Sequence, residues 1–186
     1  MSASEAATLA PYAALPKPRF TLDDAVAASE TWGANCGPGA IAAIAGMTLD
    51  ELRPHMGDFE AKGYTNPTLM WEVLTRLGLV WRKRPGRVDL DILPAWGVAR
   101  IQWEGPWCEP GVPVRARYRH THWIGVGLHE MRPIAFDINC MSVGGWVPWS
   151  EWKSQVAPWL IREAVPRANG KWHITHVADV ARRDHG

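Results

Sequence analysis

Cys36 lies in the run Asn35-Cys36-Gly37-Pro38-Gly39, His122 in His120-Thr121-His122-Trp123, and Asp137 in Phe136-Asp137-Ile138-Asn139. A thiol, an imidazole and a carboxylate in that chain order are the parts of an activated sulfur nucleophile: attacking group, base, and orienting acid. Only the thiolate attacks, so the cysteine must be exposed, ionised and close to a proton acceptor. A helix start supplies unpaired N–H groups and a partial positive charge that favour the thiolate. Cys36 stands where such a helix would open. Pro38 is tolerated at an early helical position, the flanking glycines keep the space around the sulfur open, and the Cys36 N–H can point at a developing oxyanion.

The same residues admit other readings. A lone cysteine is often a small, inert core residue. His120 and His122 are two apart, so on a strand they share one face and would serve as metal ligands with Cys108, His129 or Cys140, although no spacing completes a ligand set. Asp137 alone would suit a turn cap.

The elements that must position these groups read as helices first and strands later. Thr21 caps a stretch to about Ser29, and a turn over 31–35 carries Gly33. The helix opened by Cys36 runs through Ala45 to Gly46. Thr48-Leu49-Asp50-Glu51 is a capping box for a helix to about Met56. Asn66-Pro67 starts a helix that buries Leu69, Met70, Val73, Leu74 and Leu77 and stops at Gly78. Strands are expected over 79–84, 98–103, 121–127, 134–138 and 172–177. A helix capped by Ser150 is expected over 150–157, and the Pro- and Gly-rich 104–119 reads as a surface excursion. A short turn between 130 and 133 would lay the Asp137 strand beside the His122 strand, with Asp137 and Asn139 on one face. The pattern is α+β, with N-terminal helices carrying the nucleophile packed on a C-terminal antiparallel sheet. Residues 1–19, rich in Ala, Ser and Pro, read as a flexible arm, and 20–186 as one domain.

Composition narrows the function. With 47% hydrophobic residues in 186 the chain can bury a sizeable core. A net charge of +1 leaves no polyanion footprint, so no nucleic-acid partner is expected. The longest apolar run, Ala40 to Met47, is far shorter than a membrane span, and the N-terminus has no signal-peptide pattern. Three cysteines without a CxxC pair make no disulfide framework, although Cys108 and Cys140 could pair after export; the cytoplasm is the expected compartment. There are 12 Trp against 3 Phe and 3 Tyr, which predicts Trp as the main core aromatic, with a few lining a groove.

Taken together, these stretches resemble the papain-like cysteine peptidases, above all the bacterial double-glycine leader peptidase domains of bacteriocin exporters. The likeness rests on Asn35-Cys36-Gly37-Pro38, Arg76-Leu77-Gly78-Leu79, His122-Trp123-Ile124, Phe136-Asp137, Gly144-Gly145 and Trp149-Ser150-Glu151-Trp152. It spans about residues 20 to 155. The resemblance implies a papain-like fold and a Cys36–His122–Asp137 triad that cleaves a peptide or amide bond of a protein or peptide through a thioester, without cofactor or metal. The family also places an oxyanion-binding glutamine six residues before the cysteine, where this chain has Glu30, and a carboxylate donates no hydrogen bond unless protonated. Asn35 or the Trp32 indole N–H could supply the donor instead, with Asn139 in support, or the turn is offset and another residue fills the role. The competing expectation is a degenerate scaffold that binds protein and no longer hydrolyses.

Overall fold

The computed structural model describes residues 15–85 and 93–181. Most of the expected arm, residues 1–14, lies outside them. Of the remainder, Leu15 packs against the core and Arg19 pairs with Glu51 at 3.1 Å.

The described residues open with α1 (Leu22–Trp32), α2 (Cys36–Ala45), α3 (Leu49–Leu52), α4 (Phe59–Lys62) and α5 (Pro67–Arg76). Local chemistry sets their starts. Thr21 and Asp24 form a reciprocal capping box on α1, Thr48 and Glu51 another on α3, and the Asn66 side chain accepts from the Leu69 N–H on α5. α1 outruns the expected turn and ends at Trp32, because Ala25, Ala28 and Trp32 fall on one buried face at helical spacing. Gly33 then reverses the chain in the left-handed conformation, φ 72°, which a glycine adopts without a Cβ clash.

Strands follow: β1 (Trp81–Lys83), β2 (Trp96–Trp103), β3 (Thr121–His129), β4 (Arg132–Phe136), β5 (Trp146–Pro148) and β6 (Trp172–Val180). They form one sheet in the order β1-β6-β2-β3-β4-β5, with every neighbouring pair antiparallel. The class is therefore α+β. Short helical pieces interrupt the excursion, among them α6 (Val114–Arg117). Between β5 and β6 lies one continuous helical segment: α7 (Trp149–Glu151), a π-turn (Trp152–Val156) and α8 (Ala157–Ala164). It begins after Pro148 rather than at a Ser150 cap, and no side chain caps it.

Both faces of the sheet are covered, not one. Val98, Trp123, Ile134 and Phe136 face the core beneath the N-terminal helices, while Ala99, Ile101, Ile124, Ala135 and Ile174 face a second core under α7 and α8. This is the period-two alternation of a strand buried on both sides, and β2 is buried along its whole length. None of the 12 tryptophans is exposed, so they serve as core residues. Among the described residues no helix is long and apolar enough to cross a membrane.

Candidate active site

Cys36 is the first residue of α2. Asn35 caps that helix with its side-chain oxygen toward the Gly37 N–H at 3.4 Å, while its amide nitrogen reaches the Gly63 carbonyl at 3.4 Å. Both bonds are long, and Asn35 lines the same cleft as Cys36. The glycines after Cys36 allow α2 to sit close. A Cβ on Gly37 would lie 2.1 Å from the Thr65 hydroxyl oxygen, and one on Gly39 would lie 2.8 Å from the Ile138 side chain. On the sheet side, a Cβ on Gly125 of β3 would come within 3.2 Å of Ile44 on α2.

β3 runs four residues past the end of β4, whose pairing starts at Gly125. His122 lies on that projecting end, opposite Ile101 of β2, and is 7% exposed. Its Nε2 bonds the Asp137 Oδ2 at 2.8 Å. Its ring also feels the Cys36 sulfur, and Nδ1 is the nitrogen that the Asp137 bond leaves for it. The Trp123 backbone N–H also faces the sulfur and favours its ionised form. The ring lies over Trp103, which continues through Trp152 to Trp149 in a stack of near-parallel aromatic planes. Rotation of the imidazole is therefore blocked on its face and tied at Nε2.

Asp137 leaves the strand. It caps a 3₁₀ turn, Ile138–Val143, so it and Asn139 do not share a strand face as expected; the chain folds back instead. The Asn139 backbone N–H and side-chain amide donate to Asp137 Oδ1 at 3.0 and 2.9 Å. The Trp152 indole donates to Oδ2 at 2.8 Å, beside His122. A fully buried carboxylate is thus surrounded by donors, which is what holds it ionised.

The protonation states follow from these contacts. Burial pushes the Asp137 carboxyl up, but the His122 charge and bond and the Trp152 and Asn139 donors outweigh it and hold it below the ordinary range. Burial alone would lower His122, yet Asp137 and Cys36 together push it up to about 10. Burial would raise Cys36, but the charge and hydrogen bond of His122 and the Trp123 N–H bring the thiol down. The shifts run toward a thiolate–imidazolium pair oriented by a carboxylate.

Cys36 opens onto a cleft of about 520 Å³ between α1 and α8. Leu22, Val26 and Ser29 line one wall, and Leu160 and Val165 the other. Glu30 does not line it; it is exposed on α1. Trp32 also points elsewhere, buried against Phe59 with its indole nitrogen unpartnered. Neither supplies an oxyanion donor to the cleft. Helix phase explains this: α1 continues through the expected turn and presents Leu22, Val26 and Ser29, at spacings of four and three, to the site. Asn35 and Asn139 do reach the cleft, Asn139 with its amide committed to Asp137.

The alternative metal ligands are dispersed. His120 packs on Trp107, Cys140 lies in the second core, and His129 is at the far end of β3. Among the described residues no three His, Cys, Asp or Glu side chains gather to hold a metal. All three cysteines are free. Trp103 and Trp152 were not anticipated as members of the site, although Trp152 ends the Trp149-Ser150-Glu151-Trp152 motif. No protein-family model matches the chain, and no curated protein matches it at a significant level.

Proposed function

We propose that this protein is a papain-like cysteine hydrolase that cleaves a peptide or amide bond in a protein or peptide substrate. The observation that carries the reading is the His122 imidazole, bonded to Asp137 at 2.8 Å, in one cleft with a thiol at a helix N-terminus.

The Cys36 thiolate attacks the carbonyl carbon, and the carbonyl electrons move onto oxygen. The α2 N-terminus, with the Cys36 N–H, faces that charge. The tetrahedral species collapses, the C–N bond breaks, and His122 passes its Nδ1 proton to the leaving amine. A thioester remains on Cys36. Neutral His122 then takes a proton from water as the water adds to the thioester, and the acid leaves with Cys36 again a thiolate. Asp137 stays ionised throughout and holds the imidazole tautomer and orientation. The chemistry needs no cofactor or metal, and the cytoplasm keeps Cys36 reduced.

Two features that favoured a degenerate binding scaffold lose their force. Glu30 stands outside the cleft, and the tryptophans fill the core.

The test is iodoacetamide labelling from pH 5 to 9 in wild type and His122→Ala, with the modified residue mapped by mass spectrometry. The proposal expects fast Cys36 labelling well below the free-thiol pKa of about 8.5, lost with His122. Slow labelling indifferent to His122 would remove the hydrolase reading.

A further inference from the structure

A second pocket, about 420 Å³, opens on the other side of Cys36. Arg100, Arg115 and Arg119 line it, with Tyr64, Tyr118 and Asn66. Arg115 and Arg119 are exposed at the rim, whereas Arg100 is only 6% exposed.

Arg100 lies on β2 opposite Trp123 of β3, the residue after His122. Its side chain therefore emerges on the sheet face covered by the N-terminal helices, beside the helix that carries Cys36. One terminal nitrogen donates to the Thr121 hydroxyl at 3.2 Å, and the guanidinium lies 5.6 Å from the Tyr118 ring centre. Its Nε is buried with no hydrogen-bond partner. Among the described residues no carboxylate pairs with Arg100, Arg115 or Arg119. The neighbouring strand offers only another potential cation, His176, whose pKa burial and then the Arg100 charge bring down to about 4.

A buried guanidinium without a counter-ion is costly, and its planar fork of donors matches a carboxylate. Among the described residues this charge meets only Tyr118 and the Cys36 sulfur as acidic groups, and neither is a carboxylate. Arg100 is too far inside to be a solubility residue, and Thr121 and Tyr118 satisfy only part of it.

We propose that the Arg100 pocket is a substrate subsite for a carboxylate, so that the protein cleaves next to an acidic side chain or close to a chain's C-terminal carboxylate. The exposed Arg115 and Arg119 draw the anion in, and Arg100 fixes it. The bond to be cut then spans from the apolar cleft of Leu22 and Val26 to the basic pocket, across Cys36. This inference rests on the hydrolase reading.

Iodoacetate and iodoacetamide alkylate the same sulfur and differ in one charged group, so they separate the two ideas. In wild type, the iodoacetate rate should saturate with concentration and exceed the iodoacetamide rate at least tenfold, relative to their ratio on a free thiol. In Arg100→Gln that preference should disappear. Arg115→Gln, a surface change that leaves the core intact, should weaken iodoacetate saturation several-fold relative to iodoacetamide. N-acetylglycine and N-acetylglutamate α-amide then compete with iodoacetate. Stronger protection by the first marks a chain terminus, and by the second an acidic side chain. A preference that survives in both variants belongs to the His122 cation and overturns the subsite. Equal loss of both rates means that Arg100 only steadies the thiolate, which also overturns it. Slow, His122-independent labelling by both reagents instead removes the hydrolase reading itself.

Discussion

Trp152 and His122 bind the same oxygen of Asp137, each at 2.8 Å. Trp152 begins a π-turn, in which the helix gains a residue and its side chains are re-aimed. That turn brings an indole N–H from the C-terminal helical segment to a carboxylate at the end of β4, and so couples the second core to the imidazole.

Removing that one donor should be felt as stability and as chemistry. Trp152→Phe keeps an aromatic plane between Trp103 and Trp149 but leaves Asp137 without the indole bond. A hydrogen bond to a charged group contributes about 1.5–3 kcal/mol, so urea unfolding near pH 6 should register a loss of that size. The same change made in an Asp137→Asn background should cost clearly less, because the charge it served is gone. Equal costs in the two backgrounds would place the effect in packing alone.

Asp137→Asn is harsher than its isosteric shape suggests. The four groups around the carboxylate, His122 Nε2, the Trp152 indole, and the Asn139 backbone and side-chain amides, are all donors. An asparagine amide must turn its own N–H₂ toward some of them. Breaking a buried charge pair costs about 3–5 kcal/mol, and that loss is expected here. Its pH dependence has a definite sign. Asp137 is depressed, so its contribution is full above the ordinary 3.8 and lost as pH falls through its lower folded value. His122 is raised, so its contribution is full below the ordinary 6.5 and is lost as pH climbs toward about 10. The difference in melting temperature between wild type and Asp137→Asn should therefore be widest between those two ordinary values and narrow on either side. A difference that is flat with pH would mean that the pair is not charged.

How much of this arrangement could be read from the chain depends on how local its causes are. The start of α2 at Cys36 was legible, because a Gly-containing turn followed by Cys-Gly-Pro is local chemistry. His122 before Trp123-Ile124 was legible as a strand. Asp137 was found as a residue but misplaced as a mid-strand group, since the turn that follows depends on its own side chain bonding the Asn139 N–H. The Glu30 position follows from counting back from Cys36 across an open turn, where α1 in fact continues to Trp32. Trp152 and Arg100 were beyond reach. In Val98-Ala99-Arg100-Ile101 an alternating strand with one charged residue reads as a solvent-facing arginine. It is buried only because helices cover that face as well.

Glu30→Gln should do little. If Glu30 occupied the oxyanion position, restoring an amide donor would raise the rate on the order of 100-fold. Exposed on α1 and outside the cleft, it should leave Cys36 alkylation and peptide cleavage within about twofold of wild type, the range of an ordinary surface change. Ser29 lines the cleft, and Ser29→Ala is the comparison that should be the more sensitive of the two. A large gain in Glu30→Gln would mean that α1 unwinds near its end when substrate binds.

The placement of Cys36 depends on the absence of a methyl group one residue later. A Cβ on Gly37 would lie 2.1 Å from the Thr65 Oγ1 and 2.4 Å from its Cβ, and Thr65 is itself buried and held near β3, its carbonyl accepting the Trp123 indole N–H at 2.7 Å. Neither side yields cheaply: α2 is pinned across β3, and the Thr65 loop is tied to Trp123. Gly37→Ala should therefore overpack the junction, at about 1–3 kcal/mol, and push the first turn of α2 away from His122. Thermal unfolding should read the loss of stability, and Cys36 labelling at pH 6 should slow toward that of an ordinary thiol. Thr65→Gly removes all three side-chain atoms that the new methyl meets. The double variant Gly37→Ala/Thr65→Gly should recover most of the labelling rate even if its stability stays below wild type. Recovery of rate without recovery of stability is the expected signature, because the sulfur's reactivity depends on its distance from His122, while stability also reflects the freedom that a second glycine gives the unfolded chain. If the double variant labels as slowly as Gly37→Ala, the close approach of α2 to the Thr65 loop is not what sets Cys36 against His122.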